Sequence, residues 1–376
     1  MEFEYFLPVH IAFGCKVSAK VGKMTSLYGK KALIVTGKSS AKKSGLYDRV
    51  VQSLEEASVG HVLFDQVSQN PLTTTAMEGA IFAKENGCEV VVAIGGGSIM
   101  DCAKAIAFLA VNDGDINDYI YGREQSDQAL PLILIPTTCG TGSEGNGFAV
   151  LTNPENGDKK SLRCNAIVAK VSLVDPECMM TMPKSVLASV GFDALCHCME
   201  AYTSRSSQPF TDALCLYAME LIAGNLVKLY RGANDTEAWE KVTLASTIGG
   251  MAINTAGVTL AHGMEHPASG LKDIVHGHGL AALTPVILEA SIKGQPDKYR
   301  KIAEIFGGDA AEELPNLIRR LLKDLDLSVG LLQLGLEEKD IPWMAENCMK
   351  VSAAGVANNP VVFTMEEIAG LYRKAM

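Results

Sequence analysis

The stretch EVVVAIGGGSIMDCAKAIA, Glu89–Ala107, decides the fold class. Its opening, Glu89–Ile94, is a short apolar run rich in valine, which marks a buried strand. Gly95-Gly96-Gly97-Ser98 follow, and Ile99–Ala110 then reads as a helix. Consecutive glycines let a ligand approach the backbone closely. The helix N-terminus beyond them offers free N–H groups and the positive end of a dipole, so a phosphate fits there. The run is not a GxGxxG fingerprint, because Met100 stands where the last glycine should be. An unliganded tight turn explains the glycines nearly as well. Asp101 and Lys104 read as a solvated first turn, with Asp101 favourable near the dipole.

Outward from this stretch the pattern repeats. Strands are predicted at Lys30–Gly37, His61–Phe64, Leu132–Ile135 and Val168–Val174, and helices at Leu46–Glu56 and Thr75–Asn86. Alternating strands and helices imply βαβ units, a mainly parallel sheet, and ligands at the carboxyl ends of the strands. After Asp175-Pro176 the apolar spacing turns helical, with helices predicted over Ser185–Tyr202, Pro209–Leu229, Glu237–Ala256 and Pro315–Leu322. The expected organisation is an α/β domain over 1–180 and an all-helical domain over 181–376. Further strand is allowed in the first twenty residues and in Phe148–Leu162.

Composition narrows the function. The chain has 376 residues, 48% hydrophobic and 20% charged, with a net charge of −10. Nucleic acid and an anionic membrane are not expected partners, since both call for a cationic face. The acidic start MEFEYF has no basic leader region, and no apolar run is read as long enough for a membrane span. The ten cysteines follow no regular framework and read as buried thiols of a reducing compartment, the cytoplasm.

The chain has only seven histidines, and five of them are His197, His262, His266, His276 and His278. In GFDALCHCMEAY, Asp193 and His197 are four apart and share a helix face, a geometry for two ligands on one ion. In AHGMEHPASGLKDIVHGHG, His262 and His266 repeat that spacing, and Pro267 and Gly270 are expected to break the helix before His276. One carboxylate with several imidazoles suits Fe²⁺, Zn²⁺, Co²⁺ or Ni²⁺. Cys196 and Cys198 point about 100° away from His197 and cannot join it. Each histidine alone is explained by a buried hydrogen bond or by exposure. The clustering in a histidine-poor chain favours a metal, with His278 a bystander.

Two more loops follow strands. PTTCGTGSE (Pro136–Glu144) offers hydroxyls and glycines to a dinucleotide, or is an ordinary polar loop. The first strand ends in Gly37-Lys38-Ser39-Ser40, where NAD-preferring folds place an acid near the ribose 2′-hydroxyl. Small residues, hydroxyls and a positive charge accept a 2′-phosphate instead, so NADP(H) is favoured over NAD(H).

Taken together, KKALIVTGKSS, Asn70-Pro71, GGGSIMDCAK, PTTCGTGSE, VDPECMMTMP, GFDALCHCMEAY, AHGMEHP…HGHGLA and NNPVVFTMEEIAGLYRKA resemble the iron-containing (group III) alcohol dehydrogenases over nearly the whole chain. The resemblance implies an α/β plus all-α fold of dehydroquinate synthase-like architecture, with a Rossmann-like N-terminal domain, a helical C-terminal domain and the active site in the cleft between. It implies Asp193, His197, His262 and His276 as metal ligands, with His266 near the substrate outside the metal shell, where it is read as the catalytic proton relay or as a pocket-lining residue bonded to a neighbour. Cofactor contacts carry over to Asn70, Gly96, Gly97, Ser98, Thr137, Thr138, Thr141 and a lysine, Lys160 in preference to Lys159. With Gly37 in place of the aspartate, the chain looks like the NADP-preferring butanol and 1,3-propanediol dehydrogenases.

The expected activity is alcohol–aldehyde interconversion by hydride transfer, with one divalent ion (Fe²⁺ ahead of Zn²⁺ or Ni²⁺), a small alcohol or aldehyde as substrate, and a homodimer or larger assembly. The competing readings are a zinc-dependent polyol (glycerol-type) dehydrogenase, a metal-dependent hydrolase, and a non-enzymatic metal-binding protein. The hydrolase leaves the glycine and threonine loops without a role.

Overall fold

The computed structural model describes residues 2–376 and divides into two compact units. One comprises Phe6–Asn156 and Lys160–Met182. The other takes Pro183–Met376, together with Gly157–Lys159 and the chain's first residues up to Tyr5.

The first unit is built on strands β1 (His10–Phe13), β2 (Lys31–Gly37), β3 (Gly60–Val67), β4 (Val90–Gly95), β5 (Leu132–Pro136) and β8 (Val171–Val174). They form one six-stranded sheet in the order β1-β8-β5-β4-β2-β3, every neighbouring pair parallel. Strands β6 (Phe148–Thr152) and β7 (Lys159–Arg163) pair separately, in the region where strand was allowed but not placed. The inner strands are apolar on both faces because both are covered. Leu33, Val35, Val91 and Ala93 face one core, and Ile34, Val92, Ile94 and Ile133 face the other.

From β2 the chain moves outward to β3, then returns to lay β4 on the other side of β2 and continues to β5. The direction of winding therefore reverses between β2 and β4, and a crevice opens outside their carboxyl ends. Register brings those ends level, with Thr36 opposite Ile94 and Gly95 opposite Pro136. The glycine run and the Gly37–Ser40 turn both leave from this switch point.

The second unit is helical. The Lys184–Thr203 helix is buried on nearly all sides from Leu187 onward, as expected of a helix apolar all round. The Pro209–Tyr230 and Thr236–Ala256 helices pack on it and on each other. By length and composition Pro209–Tyr230 could cross a membrane, which corrects the expectation that no run is long enough. Here its stripe Thr211, Cys215, Ala218, Met219, Ile222, Leu226 and Leu229 is buried among the neighbouring helices.

A second correction concerns Pro267 and Gly270, which do not break their helix. It runs from Leu260 to Lys272 and ends at Asp273, whose backbone is left-handed at φ 49°. Proline removes one helix hydrogen bond and crowds the preceding turn, at about 3 kcal/mol. The largely buried Leu260–Ser269 stretch holds the helix together across it. All ten cysteines are free thiols, seven of them buried.

Candidate active site

Three elements of the helical unit bring the predicted ligands together. Asp193 and His197 lie one turn apart on the Lys184–Thr203 helix, His262 is near the start of Leu260–Lys272, and His276 opens His276–Ser291. That last helix start is pressed against the first helix. A Cβ on Gly277 would lie 2.3 Å from the carbonyl oxygen of Ser189, so only glycine lets the backbones approach this closely.

Asp193 Oδ1 is the focus. It lies 3.3 Å from His262 Nε2, 3.6 Å from His276 Nε2 and 3.6 Å from His197 Nε2. Ligand atoms of Asp193, His262 and His276 all fall within 4.8 Å of one another. His197 joins through Asp193 and stacks on His262, ring centroids 4.5 Å apart. His266 stands outside this set, its ring 6.2 Å from that of His262 and 6.0 Å from that of His276. His278 is in none of these contacts. Cys196 is turned away toward Thr284.

Two buried glutamates complete the cluster, and sequence reasoning missed both. Glu200 Oε1 lies 2.6 Å from His262 Nδ1, while its Oε2 accepts from the Thr259 backbone N–H at 2.7 Å and the Thr259 hydroxyl at 3.1 Å. Glu265 Oε2 lies 2.5 Å from His276 Nδ1 and 3.5 Å from Lys159 Nζ, and Ser269 donates to its other oxygen. A signal was available for each. Glu200 follows Asp193 and His197 on the same helix face, at i+7 and i+3, and Glu265 precedes His266 in an otherwise apolar turn.

These contacts test whether a cation suits the site. Such short approaches require a proton on Nδ1 of His262 and of His276, which leaves the Nε2 lone pair of each neutral ring aimed at the Asp193 carboxylate. Lone pairs facing an anion repel unless a cation or proton lies between them. Charge leads to the same conclusion. With the imidazoles neutral, Asp193, Glu200 and Glu265 are three buried carboxylates against one buried ammonium, Lys159, leaving two negative charges for a divalent ion to balance. One carboxylate oxygen with imidazole nitrogens is a donor set for a borderline divalent metal.

The electrostatics follow from the same contacts. Burial works against ionising Asp193, but His197, His276 and His262 outweigh it and hold the carboxyl far below its usual range. Burial would lower His262, yet with no cation present Glu200 and Asp193 carry it up to about 10, so a proton then takes the place of an ion between its Nε2 and Asp193. Burial takes His197 down to about 4. His266 is pushed well below the ordinary imidazole range by burial and by Lys159.

In the sheet unit, Gly96 precedes the Gly97–Leu109 helix, with Gly97 and Ser98 in its first turn. The threonine loop packs directly on these glycines. A Cβ on Gly96 would lie 2.8 Å from Thr138 Oγ1, and one on Gly97 would lie 2.3 Å from Thr141 Cγ2. Thr137 N–H bonds the Gly95 carbonyl at 3.0 Å, so the two loops form one surface. Gly37 ends β2 half-buried, and Lys38 and Ser39 beyond it are exposed. Asn70 is held in a left-handed conformation, φ 45°. Of the two lysines, Lys159 is buried against Glu265, and Lys160 is half-buried in β7.

Asp101 and Lys104 are not a solvated turn. Both are buried, Lys104 completely, because their face of the helix lies under the Ser143–Val150 segment.

A dinucleotide-type crevice and a carboxylate–imidazole cluster in one chain define a metal-dependent nicotinamide oxidoreductase. Comparison with known proteins gives the family. Residues 8–176 match the iron-containing alcohol dehydrogenase family, and residues 187–376 match the C-terminal region of the same family. The chain is 36% identical to the 1,3-propanediol dehydrogenase of Klebsiella pneumoniae, over 99% of this chain and 98% of that one. It is 32% identical to the NAD-dependent methanol dehydrogenase of Bacillus methanolicus, over 99% of each. Among solved structures, an archaeal halo-thermophilic alcohol dehydrogenase from a Red Sea brine pool superposes with a TM-score of 0.96 at 35% identity, covering 100% of this chain and 99% of that one.

The chain belongs to the iron-containing alcohol dehydrogenase family. It is an NAD(P)-dependent oxidoreductase of a family that acts on small alcohols and aldehydes and uses a divalent metal.

Proposed function

We propose that Asp193, His197, His262 and His276 hold the metal, that the Gly96–Ser98 and Thr137–Thr141 loops with Asn70 and Lys160 hold the dinucleotide, and that NADP(H) is preferred over NAD(H). In this reading the 6–182 region is the dinucleotide-binding domain and the helical region the metal-binding one. The convergence of three imidazole Nε2 atoms on one carboxylate oxygen carries the metal assignment. When bound, the cation supplies Lewis acidity toward a substrate oxygen, and the nicotinamide supplies two-electron hydride chemistry.

The protein's own groups do the rest. Glu200 and Glu265 fix the Nδ1–H tautomers of His262 and His276 and aim their Nε2 lone pairs at one point. Gly96 and Gly97 let the Thr138–Thr141 loop close against the helix N-terminus, whose free N–H groups would take a phosphate. His266, half-buried beside two of the ligands, is assigned to passing the substrate hydroxyl proton to solvent. The NADP preference is supported by Gly37, Lys38 and Ser39, which put no carboxylate where a 2′-phosphate would lie. The NAD dependence of the Bacillus methanolicus relative is the specific observation favouring the opposite preference. Fe²⁺ is the proposed ion, with Zn²⁺ and Ni²⁺ accepted by the same donors.

The test is reconstitution of the purified chain with each ion under anaerobic conditions, followed by oxidation of NADPH and NADH over a panel of short aldehydes. Turnover that requires metal and is faster with NADPH is the expected result. Equal kcat/KM for the two cofactors would remove the preference.

A further inference from the structure

Strands β6 and β7 turn one face to the core, where Ala149, Leu151 and Leu162 are buried. Side chains alternate along a strand, so Phe148 and Val150 of β6 share the opposite face with Lys159, Ser161 and Arg163 of β7. Arg163 bears this out, its Cζ lying 4.5 Å from the centre of the Phe148 ring. At the other end of β7, Lys159 lies 3.5 Å from Glu265, the carboxylate that meets His276. One strand face therefore leads from the carboxylate–imidazole cluster to a guanidinium. The four residues between its ends put about 13 Å between the two Cα atoms.

The guanidinium has a ring beneath it and no anion beside it. Arg123, Arg231, Arg300, Arg319 and Arg373 are each paired with a carboxylate. Among the described residues, Arg163 has no such partner and donates no hydrogen bond. Carboxylates are not scarce, with 43 acidic residues against 33 Lys and Arg in the chain. Surrounding protein desolvates Arg163 and pushes its pKa down, and no carboxylate opposes the shift. The side chain nevertheless stays open to water. A cation crowded by protein yet reachable by solvent lies in a recess, and an entering anion would offset its desolvation. The Phe148 ring attracts the cation and holds it in place while leaving its N–H donors free. That fork matches a carboxylate, sulfonate or phosphate, whose oxygens it can bridge.

We propose that Arg163 is a specificity-determining residue of the substrate site, and that the preferred substrates are short aldehydes and alcohols bearing an anionic group at the end away from the reacting oxygen. This rests on the reading of Asp193 and its histidines as the metal site of an alcohol dehydrogenase. The reacting end belongs at the Lys159 end of the face, beside the cluster, and the anion at Arg163. Val150 and Ser161, both half-buried, lie between the two.

The experiment compares succinic semialdehyde with its methyl ester, which has the same carbon chain and no charge, as substrates of the full-length, metal-loaded protein. In the wild type, kcat/KM for the acid should exceed that for the ester by about tenfold or more. High salt should shrink the difference. In Arg163→Leu the ratio should fall to about one, chiefly through KM for the acid, because a contact far from the reacting bond acts on ground and transition states alike. Arg163→Lys keeps the charge without the fork and should retain part of the preference. Each ratio is taken within one protein sample, so a loss of folded protein does not disturb it. A wild type that reduces the ester as well as the acid, or a preference that survives in Arg163→Leu, overturns the proposal.

A phosphate of the dinucleotide is the other anion at hand. Fluorescence titration of NADPH and NADH on the same proteins separates the two sources, and Arg163→Leu should bind both as the wild type does. Weaker cofactor binding with an unchanged substrate ratio would assign the arginine to the cofactor and overturn the proposal. Failure of the underlying reading looks different. The wild type would then reduce neither aldehyde, nor butanal, with any added ion, and the proposal would fall with it.

Discussion

The two units, as proposed, would hold a ligand in opposite ways. In the helical unit, side chains do the work. Asp193, His197, His262 and His276 meet around one oxygen, and each imidazole stands on a different turn or helix. In the sheet unit, the proposed cofactor surface is mostly backbone. Gly96, Gly97 and the loop after β5 shape it, and the charged side chains of that helix, Lys104 and Asp101, are buried beneath it. A focal site should fail at a single residue, whereas a distributed one should degrade by steps.

The largest expected effect therefore lies in the helical unit. His262→Ala removes a donor that also packs on His197, so metal content should fall to background. Several kcal/mol of Lewis-acid stabilisation would go with it, lowering kcat/KM on the order of 10³-fold. His266→Ala should keep its metal and lose turnover only. Elemental analysis beside steady-state kinetics checks both. A metal-free His262→Ala protein with normal activity would end the metal assignment and, with it, the contrast between the units.

Next come the buried glutamates. Glu200→Gln and Glu265→Gln preserve shape but cannot hold the ring protons as a carboxylate does, and each leaves the buried cluster one negative charge short. Metal affinity should weaken by about 10–100-fold in each. Competition with a chelator measures this without relying on turnover. Affinities equal to wild type would mean that the ligand histidines are oriented by packing alone.

The contrast also explains what could be seen in the sequence. Short continuous apolar runs and helical spacing marked the sheet and the long helices, because burial on both faces of β4 or around Lys184–Thr203 leaves a continuous apolar record. The clustered carboxylate and imidazoles were visible because Asp193 and His197 interrupt such a record at helical spacing. Lys104, Glu200 and Glu265 were not recognised. A lysine in the middle of a helix, or an acid near a histidine, looks the same in sequence whether it faces water or a tertiary partner 39 or 62 residues away. Lys104 meets Ser143 and Glu200 meets His262 only after folding. Pro267 was misread for a related reason, since local propensity favours a break and tertiary burial overrides it.

In the sheet unit the effects should be smaller. Gly97→Ala places a methyl against Thr141, whose branched side chain has little room to turn. The loop must shift, and cofactor affinity should drop by about tenfold while metal content stays constant. An alanine variant with unchanged affinity would mean that the backbone there is less closely fitted than the contact implies.

Gly37→Asp is the mildest change and tests the cofactor preference most directly. A Cβ at this position meets only the Val67 carbonyl at 3.4 Å and Ile99 Cδ1 at 3.5 Å, and the backbone is not left-handed, so the fold should accept the side chain with little adjustment. What changes is charge. A carboxylate at the end of β2 would accept hydrogen bonds from a ribose diol and repel a 2′-phosphate. At the surface, a repulsion of about 1 kcal/mol corresponds to roughly a fivefold loss for NADPH relative to NADH. The ratio of kcat/KM for the two cofactors should thus move toward NADH, and raising the salt concentration should shrink the shift because the site is exposed. A ratio that does not move would place the 2′-position away from Gly37. The sheet unit would then tell the two dinucleotides apart by some other group, if it does so at all.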